Sequence, residues 1–322
     1  MPLKFFPLDL RTVVEGSEPD FDLYIKQHTT GKMVLYRSKG LPFTEQVAAT
    51  LRANRHEVVY VPQVQRRRFE AYLERNLAAI ARNESLPVQE RCEIVYTTST
   101  RIMQAVFEEL RASEAIRRSQ HIITPTISLI LQGEEVVRKL IELTAHDYYT
   151  YTHSVNVCIF SVALAGKIFP GEGREKLERL GSGFLLHDIG KRRISPEIIN
   201  KRGRLTPEEW DIMRQHPQFS HDILRETGYL TSEAAVIALQ HHERHDGSGY
   251  PSGLRGDEIH TYAKICSIAD AFDAMTTKRS YRDPSSSFEA LQVMQSEMAG
   301  NFDRDFFVTF VSLFGPRPTY VR

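Results

Sequence analysis

Hydrophobic and polar positions divide the chain into a strand-patterned front and a long helical remainder. Phe21-Asp-Leu-Tyr-Ile-Lys26 and Met33-Val-Leu-Tyr-Arg37 are short runs rich in aromatic and branched residues. Thr29-Thr-Gly-Lys32 between them suits a hairpin turn, so the pattern predicts a strand pair. Phe43, Val47 and Leu51 recur every four residues and predict a short helix, after which Val58-Val-Tyr-Val61 returns as a strand. Residues 1–65 read as a small α+β module. From Arg66 to about Gln132 the period is helical, with Phe69, Leu73, Leu77 and Ile80 on one face and Ile102, Val106 and Leu110 on another. Leu86-Pro87 separates two helices within this connector. The connector is either a stalk that signals or dimerises as a coiled coil or a bundle docked on the next domain, and the lack of sustained heptads favours the bundle.

Residues 133–322 continue as helices, and histidines and aspartates collect at their ends. The apolar run Phe184-Leu-Leu ends in His187-Asp188, with Gly190 read as the helix stop. Adjacent helical side chains diverge by roughly 100°, so this pair suits two metal ions flanking one carboxylate better than one ion held by both groups. His153 lies on a helix with apolar neighbours and counts as a ligand only in company. Thr206-Pro-Glu-Glu209 is a capping box with proline at the first helical position, and the helix it opens is expected to end near His216-Pro217. His221-Asp222 sits inside a helix that Gly228 ends and reads as a decoy; His28 and His56 stand alone as ordinary polar residues. A helix from Ser232 runs into His241-His242-Glu243, and the glycine- and proline-rich stretch Arg244 to Gly256 must be a loop. A buried helix then carries Asp270 and Asp273, followed by the charge run Lys278-Arg-Ser-Tyr-Arg282. Phe288 to Phe314 reads as an amphipathic helical tail.

Composition narrows the chemistry. Lys+Arg and Asp+Glu number 41 each among 322 residues, so no overall field recruits nucleic acid or an anionic membrane. Cys92, Cys158 and Cys266 are odd in number, far apart and set among apolar residues, as reduced thiols of a cytosolic protein are. The start lacks a secretory apolar core, and the apolar run Val157 to Ile168 is too short to span a bilayer, so a cytoplasmic protein is expected. The candidate ligands are then His153, His187, Asp188, His216, His241, His242 and Asp270. Imidazole-rich ligation with some carboxylate favours iron, manganese, cobalt or zinc over magnesium or calcium. Two such ions close together fit the hydrolysis of a phosphate ester.

His187-Asp-Ile-Gly-Lys191, His241-His-Glu-Arg-His-Asp-Gly-Ser-Gly-Tyr-Pro251 and Ile268-Ala-Asp-Ala-Phe-Asp-Ala-Met275, in this order, resemble the HD-GYP branch of the HD metallohydrolases. The likeness covers about Val137 to Phe314. It implies a mainly α protein whose helical HD domain hydrolyses cyclic di-GMP to the linear dinucleotide, to GMP or to both. It assigns His153, His187, Asp188 and Asp270 to one metal and Asp188, His216, His241 and His242 to the other, with iron the first expectation and manganese the second. It further implies that Lys191 meets the scissile phosphate and that Tyr250, Lys278, Arg279 and Arg282 line the nucleotide site. Some members carry a glutamate four residues before His153 for a third metal; Tyr149 stands here, so two ions are expected. The alternative is a dinucleotide receptor or scaffold of little activity that acts through protein partners, and a homodimer is compatible with either. The front module lies outside the likeness and is expected to be regulatory.

Overall fold

A computed structural model describes residues 3–27, 29–108, 112–144, 150–201, 203–277 and 285–315. The chain divides into two compact units, residues 1–98 and 99–322, with the division falling inside one helix. The first unit holds strands β1 (Phe5–Asp9), β2 (Leu23–Lys26), β3 (Met33–Arg37) and β4 (Val58–Pro62). Helix α1 (Glu45–Ala53) precedes β4, and α2 (Arg66–Arg82) and the first half of α3 (Val88–Glu108) follow it. The sheet order is β1-β4-β2-β3, every pairing antiparallel. The expected hairpin forms, with Lys26 opposite Met33 and Gly31 in the left-handed region its turn needs (φ 67). Strand β1 was not legible because Pro7 interrupts it; an edge strand tolerates proline, since one side of its ladder is unpaired.

The apolar face of α2 closes this unit's core. Phe69, Tyr72, Leu73 and Ile80 pack with Phe21, Leu23, Phe43, Leu51, Val59 and Val61. The Phe21 ring meets Phe69 and Tyr72 edge-on at 5.4 and 5.2 Å between centroids. The Tyr72 hydroxyl is buried yet paired: it accepts from the Val14 amide at 2.8 Å and bonds the Ser17 hydroxyl at 2.8 Å.

The second unit is helical. The rest of α3 is followed by α4 (Ala112–Ile130), α5 (Glu134–Leu143), α6 (Thr150–Ile168) and α7 (Arg174–Leu186). Then come α8 (Pro196–Ile199), α9 (Pro207–Met213), α10 (His216–Glu226), α11 (Ser232–Gln240), α12 (Thr261–Thr276), α13 (Ser287–Ser296) and α14 (Arg304–Val311). Helix α6 packs on α7 and α12 and buries every residue from His153 to Ala165. A helix buried on all sides loses its amphipathic signature. Phe160, Phe272 and Phe310 interlock edge-on and tie α14 to α6 and α12. The tail expected as one element is two helices, because Asp303 caps a new one by accepting from the Asp305 and Phe306 amides. No helix among the described residues is long and apolar enough to cross a membrane.

Two local expectations change. Gly190 is not a left-handed helix stop: α7 ends at Leu186, and Gly190 lies in the tight turn Ile189–Arg193. The residue is glycine because α10 approaches so closely that a Cβ would lie 2.1 Å from the His216 carbonyl oxygen and 2.4 Å from the Ser220 nitrogen. His216 does not end α9, whose capping box forms as expected, but opens α10, with Pro217 in the first turn. Proline both disfavours helix in the residue before it and suits a helix start, and here the second effect decides.

Candidate metal centre

Helix ends converge on one buried point. His153 comes from the first turn of α6, His187 and Asp188 from the end of α7, and His216 from the start of α10. His241 and His242 follow α11, and Asp270 comes from the middle of α12. His153, His187, Asp188, His216 and His241 are each at most 1 % exposed. Asp188 is shared between two sets of mutually close ligand atoms, one with His216, His241 and His242 and the other with His153 and His187. Its Oδ1 lies 3.1 Å from His216 Nε2 and 3.7 Å from His241 Nε2, and its Oδ2 lies 3.4 Å from His153 Nε2 and 3.5 Å from His187 Nε2. Asp270 reaches the second set through Oδ1, 3.0 Å from His153 Nε2, while its Oδ2 is 3.6 Å from His242 Nδ1.

The protonation pattern follows from the backbone. His187 Nδ1 faces the Phe184 carbonyl at 2.8 Å, His216 Nδ1 the Met213 carbonyl at 2.8 Å, and His241 Nδ1 the Ile237 and Ala238 carbonyls at 3.0 Å. A carbonyl only accepts, so each Nδ1 carries the proton and each Nε2 presents a lone pair to the centre. His216 Nε2 and His241 Nε2 thus point lone pairs at each other across 3.2 Å. His187 Nε2 and Asp188 Oδ1 are buried with no hydrogen-bond partner. Acceptors facing acceptors in a dry site are costly unless a cation sits among them, so these residues fit divalent metal.

Charge agrees. Burial lowers His187 to about 3 and lowers His216 and His242 as well, keeping all three rings neutral and ligand-competent at pH 7. Burial alone would raise Asp188, but the Lys191 ammonium, in contact with its Oδ2, holds it well below the usual carboxylate range. Cys158, pushed up to about 12 by burial, and Cys266, pushed up for the same reason, are neutral thiols and no part of this chemistry.

A second layer positions the ligands. His153 Nδ1 donates to Asp273 Oδ2 at 2.7 Å, and Asn156 Nδ2 donates to Asp273 Oδ1 at 2.7 Å. This carboxylate fixes the imidazole so that Nε2 faces the centre, the arrangement that orients metal-bound histidines. Sequence reading placed Asp273 on the helix but missed this role, although its three-residue spacing from Asp270 puts both on one face. Glu243, 2 % exposed, accepts from the Ser252 amide at 2.7 Å and the Leu254 amide at 3.0 Å, pinning the loop that carries Tyr250. At Gly249 a Cβ would come within 2.4 Å of the Arg244 nitrogen. His221 and Asp222 pair with each other at 3.4 Å and do not join the centre.

The centre lies at the base of a cleft of about 870 Å³, whose walls include Lys191, Lys201, Arg204, Trp210 and Tyr250. Tyr250 stacks on His242, ring centroids 4.7 Å apart and planes 26° apart. Burial raises its phenol above the ordinary value, so it is a neutral hydroxyl at pH 7. Trp210 was not found by sequence reading, because nothing local distinguishes it from any residue on an exposed, well-capped helix. Lys278, Arg279, Arg282, Tyr149 and His28 lie outside the described residues.

Residues 164–306 match the HD domain family. A cyclic di-GMP phosphodiesterase of Pseudomonas aeruginosa is 34% identical over 217 residues, 66% of this chain and 51% of that protein. A cyclic di-GMP phosphodiesterase of Thermotoga maritima is 35% identical over 181 residues, 56% of this chain and 48% of that one. The 3′3′-cGAMP-specific phosphodiesterase 2 of Vibrio cholerae is 33% identical over 183 residues, 55% of this chain and 35% of that one. The chain thus spans about half or less of the length of these relatives. In fold it is similar to an HDG"Y"P protein from Bdellovibrio bacteriovorus, with a TM-score of 0.64 over 96% of this chain and 99% of that one at 21% identity. The HD-domain match and the relatives named as cyclic di-GMP phosphodiesterases agree with the resemblance to the HD-GYP branch that the motifs carry.

Proposed function

We propose that this chain is a metal-dependent phosphodiesterase that hydrolyses cyclic di-GMP. The observation that carries the reading is the shared Asp188: one buried carboxylate faces two sets of histidine lone pairs at the base of a cleft with cationic and aromatic walls. His153, His187, Asp188 and Asp270 would hold one divalent ion and Asp188, His216, His241 and His242 a second, with iron preferred and manganese accepted. Such ions supply Lewis acidity, activating water and neutralising charge on the phosphate. The protein's own residues do the rest. Lys191 sits over Asp188 at the cleft, where its ammonium can meet a phosphate oxygen. Tyr250 offers a neutral donor beside the centre, and His242 beneath it fixes its ring. Lys278, Arg279 and Arg282 complete the nucleotide site on the strength of the family resemblance. The reading includes a cytoplasmic protein in which residues 1–65, whose core is completed by α2 at the start of the 66–132 connector, regulate through a partner or a homodimer, and residues 133–322 form the phosphodiesterase domain.

A specific observation favours 3′3′-cGAMP as a second substrate, since relatives named for it match this chain about as well as those named for cyclic di-GMP. The test is anaerobic loading with Fe(II) or Mn(II), then chromatography of each dinucleotide after incubation. Metal-dependent conversion of cyclic di-GMP to pGpG or GMP is expected. Bound metal and bound dinucleotide without turnover would overturn the reading in favour of a receptor.

A further inference from the structure

Trp210, the sole tryptophan of the chain, lies on α9 with 42% of its surface exposed, as part of the cleft wall. Its indole meets Tyr250 edge-on, centroids 6.4 Å apart, and Tyr250 stacks in turn on the ligand-type His242. The Arg214 guanidinium lies 5.6 Å from the centroid of the Trp210 ring and 5.8 Å from that of Tyr250. The indole is therefore braced by two neighbours, within two ring contacts of the metal centre, and still presents apolar surface to a cleft that Ile198, Leu205 and Met213 also line. Solvent-exposed tryptophan so braced suits a flat aromatic ligand, and Arg204, which lines the same cleft, supplies charge for the phosphates attached to it, whereas Lys201 there is paired with Glu209.

We propose that Trp210 is the base-stacking residue of this cleft: a purine of the dinucleotide lies on the indole while its phosphate reaches the centre beside Lys191. The proposal rests on the phosphodiesterase reading and adds to it a residue that binds the base without taking part in bond cleavage. Stacking recognises a π-face and not a hydrogen-bonding edge, so this contact serves guanine and adenine alike. It gives affinity without discriminating cyclic di-GMP from 3′3′-cGAMP, and discrimination must come from polar groups elsewhere in the cleft.

Because Trp210 is the only tryptophan, its emission reports the contact directly. The metal-loaded full chain is titrated with GMP and, in parallel, with ribose 5-phosphate, with binding followed independently by calorimetry. Saturable quenching by GMP and none by ribose 5-phosphate is expected. In steady-state hydrolysis of cyclic di-GMP, Trp210→Ala should raise KM about tenfold, a change of roughly 1.4 kcal/mol, and lower kcat far less. Trp210→Phe, which keeps a π-face, should restore most of the affinity. Calorimetric binding of GMP with unchanged emission would overturn the role of Trp210 and leave the phosphodiesterase reading intact. Absence of binding by GMP and of turnover of either dinucleotide would overturn both.

Discussion

The two units bury polar groups in opposite ways. In the front unit the Tyr72 hydroxyl lies deep in an aromatic core, and both partners it needs are at hand in Val14 and Ser17. In the helical unit His187, His216 and His241 have satisfied Nδ1 atoms, yet their Nε2 atoms and Asp188 Oδ1 face one another. The first is polar burial that serves the fold; the second is polar burial that the fold supports at a cost, through helix ends held rigidly by packing. Equal burial therefore does not mean equal purpose, and where the unshared lone pairs point distinguishes the two.

The contrast predicts a ranking of effects. Asp188→Ala should be the most damaging, removing the one carboxylate common to both ligand sets. Cyclic di-GMP hydrolysis should fall roughly a thousandfold, about 4 kcal/mol in barrier, with metal content falling in step and helicity unchanged. Near-normal turnover in a metal-analysed sample would break the comparison at its root. Asp273→Asn should come next. Its isosteric amide accepts more weakly from His153, so metal affinity is expected to drop roughly 10- to 100-fold, read by competition with a chromophoric chelator. Unchanged affinity would mean that packing alone orients His153.

A third effect depends on pH. Burial holds His187 neutral in the folded chain down to about 3, while the unfolded chain takes up a proton below about 6.5. The folded pKa is depressed, so this group's contribution is complete above pH 6.5 and is lost as pH falls toward 3. Metal-free protein should lose about 2 kcal/mol from this histidine alone between pH 7.5 and pH 5, measured by urea unfolding. His216 and His242, shifted the same way, deepen the loss. A flat profile would show that the rings are solvated when metal is absent. The smallest effect belongs to the front unit: Tyr72→Phe strands the Val14 amide and should cost about 1 kcal/mol of stability while leaving metal content untouched.

What the sequence revealed follows the same division. The helix-end cluster was legible because His187-Asp188 and His241-His242 are adjacent pairs after apolar runs, and the strand pair was legible because its turn chemistry is local. Asp273 on His153 joins residues 120 apart, and Asn156 on Asp273 joins residues 117 apart, so no window of sequence displays either contact. Gly190 was assigned a local duty when its neighbour is the backbone of α10. His216 was placed one helix too early because Pro217 carries two opposed signals. Strand β1 was hidden by a proline that only its edge position permits. The fold class and the residue types that converge at the candidate centre were thus readable, while long-range positioning contacts were not.

The central claim is that Asp188 is shared by two metal ions. Crystals of anaerobically loaded protein, measured by anomalous scattering on both sides of the iron edge, test it most directly. Two peaks are expected, one beside His153 and His187 and the other beside His216 and His241, with a different Asp188 oxygen directed at each. A single peak, or two of which only one contacts Asp188, would contradict the account.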